Sequence, residues 1–300
     1  MTNRFTNRAS EVNVRVTTMP LILLGLAALS MTLAIAAFAL EAELPTGVRV
    51  VSEYWATRQG VSARVLMMAP PEPRAGVVLL PGGHGNINLD VQAHIGWGRD
   101  DFVIRTRASY PRVGFLTIIP DIAIDRKPPA KLDDYRRSES QAYDLGAISD
   151  HLRGLTEKVF AVAYDRGATS ALNAAARRKM DLVSGLVLIS PVLESVQPSD
   201  ALLQDGARLA FAKMPVLLIS HASDECSSGA VKELSSIATV STARSFRAVS
   251  ITGGQDQYQL SDPFAYYRDP CNKEAHHALA GLDDHVSNII TQWLLTQAGF

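Results

Sequence analysis

The sequence predicts an α/β fold built on a mostly parallel sheet. Short apolar runs ending in turn residues recur along the chain: "AGVVLLPGG" (75–83), "GFLTIIPD" (114–121), "KVFAVAY" (158–164), "SGLVLISP" (184–191), "PVLLISH" (215–221) and "FRAVSITGG" (246–254). Strands covered on both faces read this way. Stretches with helical spacing lie between them, and that alternation is the pattern of an α/β domain.

Two earlier segments differ. "GVRVVSEYWA" (47–56) and "SARVLMMAP" (62–70) alternate polar and apolar residues, which predicts an antiparallel opening pair. With the six later runs they make eight strands. Over 138–155, Leu145, Ile148, Leu152 and Leu155 mark one face of a helix. At the end of the chain, Val286, Ile289, Ile290, Trp293 and Leu294 do the same. From Val192 to Met214 there is room for one or two short helices, so a large cap between the sixth and seventh strands is not expected. Repeats, low-complexity tracts and linkers that would divide the chain are absent from the sequence.

The 300 residues are 47% hydrophobic and 20% charged, with a formal net charge of −1. Such a balance gives no electrostatic footprint for nucleic acid, and a small-molecule partner is expected instead. The N-terminus is different in kind. Arg4, Arg8 and Arg15 precede an uncharged run from Pro20 to Leu40 that ends in "AFA". A basic start, an apolar stretch and a small-x-small end predict a cleaved export signal over 1–39, followed by one domain over 40–300. The same run is long enough to serve as an uncleaved anchor in the inner membrane. Either reading places the domain outside the cytoplasm, in the periplasm or secreted. Cys226 and Cys271 are the two cysteines. In an exported chain they are expected to pair; two separate buried thiols are the alternative. The oligomeric state is left open.

In a parallel α/β sheet, reactive groups sit beyond the carboxyl ends of the strands. Three such loops carry suitable residues, in the chain order nucleophile, acid, histidine. Asp165 follows "KVFAVAY", Asp224 lies in "SHASDEC" and His277 in "EAHHALAGLDD". Around Asp165 the residues are Ala163-Tyr164-Asp165-Arg166-Gly167, with small residues two before and two after, as a sharp strand-to-helix turn requires. "LLPGGHGNINL" (79–89) offers backbone donors for a reacting oxygen at Gly82, Gly83 and Gly85, with His84 among them; Arg166, after the turn aspartate, completes the donor set. His221 and His276 read as packing or surface residues. Arg105, Arg107 and Arg126 read as structural partners of helix carboxylates. A metal site built from His221, Asp224 and His277 fits no recognised ligand spacing, and none is expected.

From about residue 70 onward the chain resembles the α/β-hydrolase superfamily. Within it, the chain is similar to an exported bacterial group of dienelactone-hydrolase-like proteins. The resemblance rests on "LLPGGHG", "DDFVIRTR" (100–107), "DIAIDR" (121–126), "YRRSESQAYDLGAISDHLR" (135–153), "AYDRGATSA", "HASDEC" and "HHALAGLDDHV". It implies an eight-stranded sheet with helices on both faces, a nucleophile–acid–histidine site and no cofactor. This chain departs from the group twice. Asp165 stands where the group has serine, and Ala278 stands where it has glycine after the histidine.

The aspartate changes the expected chemistry. Attack by a carboxylate on an ester carbonyl gives an anhydride and gains nothing. Attack on an alkyl carbon, displacing halide or opening an epoxide, gives an ester that His277, oriented by Asp224, could hydrolyse with water. Asp165 could also act as a base on water. Against the alkyl-carbon chemistry, enzymes that use it usually carry a helical cap, which 192–214 is too short to supply. Lost or altered ester chemistry is therefore favoured over it, and the expected substrate is small and ester-like or alkyl. The further alternatives are a turn aspartate, favoured near a helix start, and a binding protein that has kept the pocket and lost the reaction.

Overall fold

The computed structural model describes residues 44–127, 135–177, 179, 183–193, 201–240, 245–254, 271 and 276–300. The apolar run 20–40 and the boundary after residue 39 lie outside the described residues. Among the described residues, no helix is long and apolar enough to cross a membrane.

All eight expected strands form: β1 (Arg49–Arg58), β2 (Val61–Ala69), β3 (Ala75–Leu80), β4 (Phe115–Ala123), β5 (Val159–Tyr164), β6 (Gly185–Ile189), β7 (Val216–His221) and β8 (Phe246–Ile251). They join in one sheet of order β1-β2-β4-β3-β5-β6-β7-β8. β1 pairs antiparallel with β2, and β2 antiparallel with β4; every later pairing is parallel. The crossovers carry α1 (Phe102–Arg105), α2 (Ser109–Arg112), α3 (Glu139–Arg153), α4 (Gly167–Ala176), α5 (Ala201–Lys213) and α6 (Ser228–Val240), and α7 (Asp283–Ala298) closes the chain.

Strand β5 shows why the apolar runs are continuous. Val159, Ala161 and Ala163 face a core shared with α3, α4 and α5. Phe160, Val162 and Tyr164 face the opposite core, shared with α1 and α7. Because both faces are buried, neither set of positions tolerates a polar side chain.

Helix α3 begins where Ser138 Oγ accepts a bond from Gln141 N–H, and Leu145, Ile148 and Leu152 lie in the core. Leu155 does not join them. The helix ends at Arg153 with Gly154 as its C-cap, so Leu155 falls beyond it and is 57% exposed. In the segment between β6 and β7, α5 packs against α4. Gly206 lets it approach so closely that a Cβ there would meet the Leu172 carbonyl. Its buried residues Leu203, Ala207, Ala210 and Phe211 belong to the core, so this helix is an ordinary crossover and not a cap.

Cys226 and Cys271 are disulfide-bonded, with Cα atoms 5.1 Å apart. The bond ties the loop after β7 to the chain segment leading into His277.

Candidate active site

Asp165 follows β5 directly and opens α4. Its φ is +52°, in the left-handed region that L residues rarely adopt. The strained turn is pinned on both sides. Asp165 N–H donates to Ile189 O, and its carbonyl accepts from Ala168 and Val192 N–H. The small neighbour two residues on is needed for contact: a Cβ at Gly167 would run into the Leu80 carbonyl oxygen at the end of β3. Gly167→Ala should therefore cost about 1–3 kcal/mol by overpacking, measured by urea denaturation. A loss within experimental error would mean that α4 can slide freely away from β3.

The three predicted residues meet. His277 sits on a 3₁₀ turn, His276–Ala278, and is 2% exposed. Its Nδ1 lies 3.0 Å from Asp224 Oδ2, and its Nε2 lies 3.4 Å from Asp165 Oδ1. Asp224 is fixed in turn by Ser227, whose Oγ and N–H both donate to it. The histidine turn is fixed from two further directions. Tyr164 Oη donates to the His277 carbonyl at 3.3 Å, and Arg105 Nη2 donates to the Ala278 carbonyl.

The protonation states follow from these contacts. Burial works against a charge on His277. The two carboxylates beside it, Asp165 at 3.4 Å from Nε2 and Asp224 hydrogen-bonded to Nδ1, outweigh burial and push it up to about 9. Burial alone would also raise both carboxylates, but the adjacent His277 reverses this, aided by Gly83 N–H at Asp165 and Ser227 at Asp224. Both stay below the usual carboxylate range. At neutral pH the site is an imidazolium held between two carboxylates. Burial above all keeps the Tyr164 phenol protonated and able to donate.

Of the three glycines expected to supply donors, one does so. Gly83 N–H donates to Asp165 Oδ2 at 2.7 Å, and Arg166 N–H adds a second backbone bond to the same carboxylate. Gly82 N–H is directed elsewhere, and Gly85 N–H closes a turn onto Gly82 O. His84 is exposed; its Nδ1 accepts from Asn86 N–H and its ring stands edge-on to Trp97. The side chain of Asp165 is 16% exposed, which is not the solvent-facing position of an ordinary turn aspartate.

Two residues that the sequence did not single out organise the loop. Asp101 caps α1 through Val103 N–H and accepts from Gly82 N–H at 2.6 Å. Burial, reinforced by the charge on Asp165, pushes its carboxyl up to about 7. An aspartate before an apolar helical run is a recognisable N-cap signal, so its cap role was legible, although its place beside Gly82 was not. Arg136, 4% exposed, donates to the carbonyls of Pro81, Gly82, Gly83 and Arg166 and to Ser170 Oγ. It clamps the donor loop to the turn at Asp165.

The other predicted residues divide. Arg105 pairs with Asp283 at 2.8 Å in the first turn of α7, as expected of a partner to a helix carboxylate. Arg126 donates to Ser140 Oγ, which is not a carboxylate, and Arg107 donates to Ile104 O. His221 is buried, bonded to Gly253 O and stacked on His276 at 4.2 Å. Among the described residues, the groups close enough to hold a metal ion are Asp224, Cys226 and His277; His221 is not one of them.

This sheet order, with an elbow after β5, an acid after β7 and a histidine after β8, is the α/β-hydrolase fold. Solved structures agree. The dienelactone hydrolase of Anabaena variabilis matches with a TM-score of 0.57 at 16% identity, covering 83% of this chain and 98% of that one. A fungal esterase from Rhizomucor miehei gives 0.53 at 14%, covering 94% of this chain and 93% of that one. Brefeldin A esterase, a bacterial homologue of human hormone-sensitive lipase, gives 0.56 at 12%, covering 92% and 86%. At these identities the shared property is the fold. No protein-family model matches the sequence, and no curated protein does.

Proposed function

We propose that the chain is an exported hydrolase whose Asp165 attacks an electrophilic alkyl carbon of a small molecule, such as a halide or an epoxide. One observation carries this reading. The Asp165 carboxylate stays ionised at the elbow, with one oxygen on backbone N–H groups and the other facing His277.

With a halide, an Asp165 oxygen forms the new C–O bond as the C–X bond breaks, and the halide leaves with the electron pair. The product is a neutral alkyl ester on Asp165. Alkylation removes one of the two carboxylates that hold the proton on His277, so the imidazolium releases it to solvent. His277, still oriented by Asp224, then takes a proton from water as the water oxygen adds to the ester carbonyl carbon. With Oδ1, the oxygen facing His277, as the alkylated one, the negative charge that develops falls on Oδ2, which Gly83 N–H already holds. As the intermediate collapses, the imidazolium gives its proton to the departing alkoxide, which leaves as the alcohol. The resulting carboxylic acid of Asp165 passes its proton to the neutral His277, restoring the carboxylate and the imidazolium. Charge on Asp165 thus decides whether His277 is an acid or a base.

The fold likeness to dienelactone hydrolase and esterases supports a small-molecule substrate. Export is supported by the basic, then apolar, N-terminal sequence and by the Cys226–Cys271 bond, which suits an oxidising compartment; the periplasm is the proposed location. A second reading, a binding protein without turnover, is favoured by one feature: Asp165 itself already fills the backbone donors that would otherwise receive a substrate oxygen.

The test is trapping. His277→Ala should accumulate a covalent ester on Asp165 with a haloalkane or epoxide, seen as a mass increase on the Asp165 peptide, while wild type turns over. If no such reagent labels the protein, and Asp165→Ser hydrolyses activated esters, the alkyl reading falls and a lost serine-type site replaces it.

A further inference from the structure

The disulfide lies against the site, and it covers a second chemistry. One ligand atom each from Asp224, Cys226 and His277 lies within 4.8 Å of the other two. Around a tetrahedral zinc ion, neighbouring ligand atoms stand about 3.3–3.8 Å apart. The His277 Nδ1 to Asp224 Oδ2 distance of 3.0 Å is already near that spacing. Cys226 Sγ is engaged in its bond to Cys271.

We propose that opening the Cys226–Cys271 bond creates a three-ligand site for zinc or a similar divalent cation, made of Asp224, Cys226 and His277, with water completing the coordination. A thiolate, an imidazole and a carboxylate together suit this metal class. The surroundings suit it too. A metal-bound histidine commonly gives its other ring N–H to a carboxylate, and His277 Nε2 already faces Asp165 Oδ1. The Asp224 carboxylate is oriented by Ser227. The metal takes the place of the proton between His277 and Asp224, and the histidine can then no longer serve as a base. The disulfide therefore keeps the acid–histidine pair metal-free, and its reduction by a thiol or phosphine switches that pair to metal binding.

A trialkylphosphine makes the step explicit. The S–S bond breaks, phosphorus is oxidised to the phosphine oxide with the oxygen of water, and the two protons go to the sulfurs. Metal binding then releases the Cys226 proton and one from His277.

The experiment uses the full chain as oxidised wild type, phosphine-reduced wild type, Cys271→Ser and Cys226→Ser, with zinc and cobalt(II) as probes. Zinc is followed by competition with a chelating dye, and cobalt by its thiolate charge-transfer absorption. Reduced wild type and Cys271→Ser should each bind one equivalent, at least about tenfold more tightly than Cys226→Ser or the oxidised protein. Both should show the thiolate band. Equal binding by Cys226→Ser and Cys271→Ser overturns the proposal, as does absence of binding in both reduced wild type and Cys271→Ser. Unfolding of both on loss of the bond, seen by circular dichroism, overturns it as well, since no site then survives. The readout is metal, so it stands apart from whether Asp165 alkylates.

Discussion

Arg136→Leu should lower stability by about 3–5 kcal/mol in urea denaturation. The guanidinium is buried and its five N–H donors each have an acceptor: Gly83 O, Arg166 O, Ser170 Oγ, Pro81 O and Gly82 O. Leucine fills most of the volume and returns none of those bonds. Four backbone carbonyls are then left without this donor inside the protein, which is the costly side of hydrogen bonding. The effect extends to the chemistry. Three of the carbonyls belong to consecutive peptides of the donor loop, and fixing them turns Gly83 N–H toward Asp165 and Gly82 N–H toward Asp101. Arg136→Lys keeps the charge but not the planar fork, so it should fall between wild type and leucine. A leucine variant that loses less than about 1 kcal/mol would show that the loop holds its shape without the clamp.

Most of the fold could be read from the chain, because its signals are local. Buried parallel strands are apolar on both faces, and runs such as "KVFAVAY" state this without reference to anything distant. The order of Asp165, Asp224 and His277 was legible for a related reason, since each follows a strand end. Arg136 was not, because its acceptors are backbone carbonyls 30 to 55 residues away, and a carbonyl has no letter in the sequence. Where each N–H of the glycine-rich loop is directed is hidden for the same reason. A glycine-rich loop announces that N–H groups can approach something, but Asp101 and the turn at Gly82 decide which one reaches Asp165. Leu155 kept helical spacing and still faced water, because Gly154 had already ended the helix.

Stability should be highest at mildly acid pH and should fall as pH rises toward 9. His277 is pushed up to about 9 in the folded chain, against about 6.5 when unfolded. The folded state therefore holds this proton more tightly. Its contribution is complete below about pH 6.5 and is lost as pH passes through about 9, to a total on the order of 3 kcal/mol. Asp101 acts in the same direction over a lower range. Its carboxyl is pushed up to about 7, so ionising it between about pH 4 and 7 favours the unfolded chain. Asp165 and Asp224 act oppositely, since both are held below the usual range. What they add is present above about pH 4 and is lost as pH falls through their folded values. The maximum accordingly lies near about pH 4, where the gain from Asp165 and Asp224 is nearly complete and the loss from Asp101 is only beginning. Urea denaturation of wild type and His277→Ala across this range checks the assignment. The decline above about pH 6.5 should be largely absent in His277→Ala, and in Asp165→Asn it should shrink and move to lower pH, because one of the two carboxylates that hold the proton is gone. Equal slopes in wild type and His277→Ala would mean that His277 is not the imidazolium between Asp165 and Asp224, and the charge-controlled switch from acid to base would fall with it.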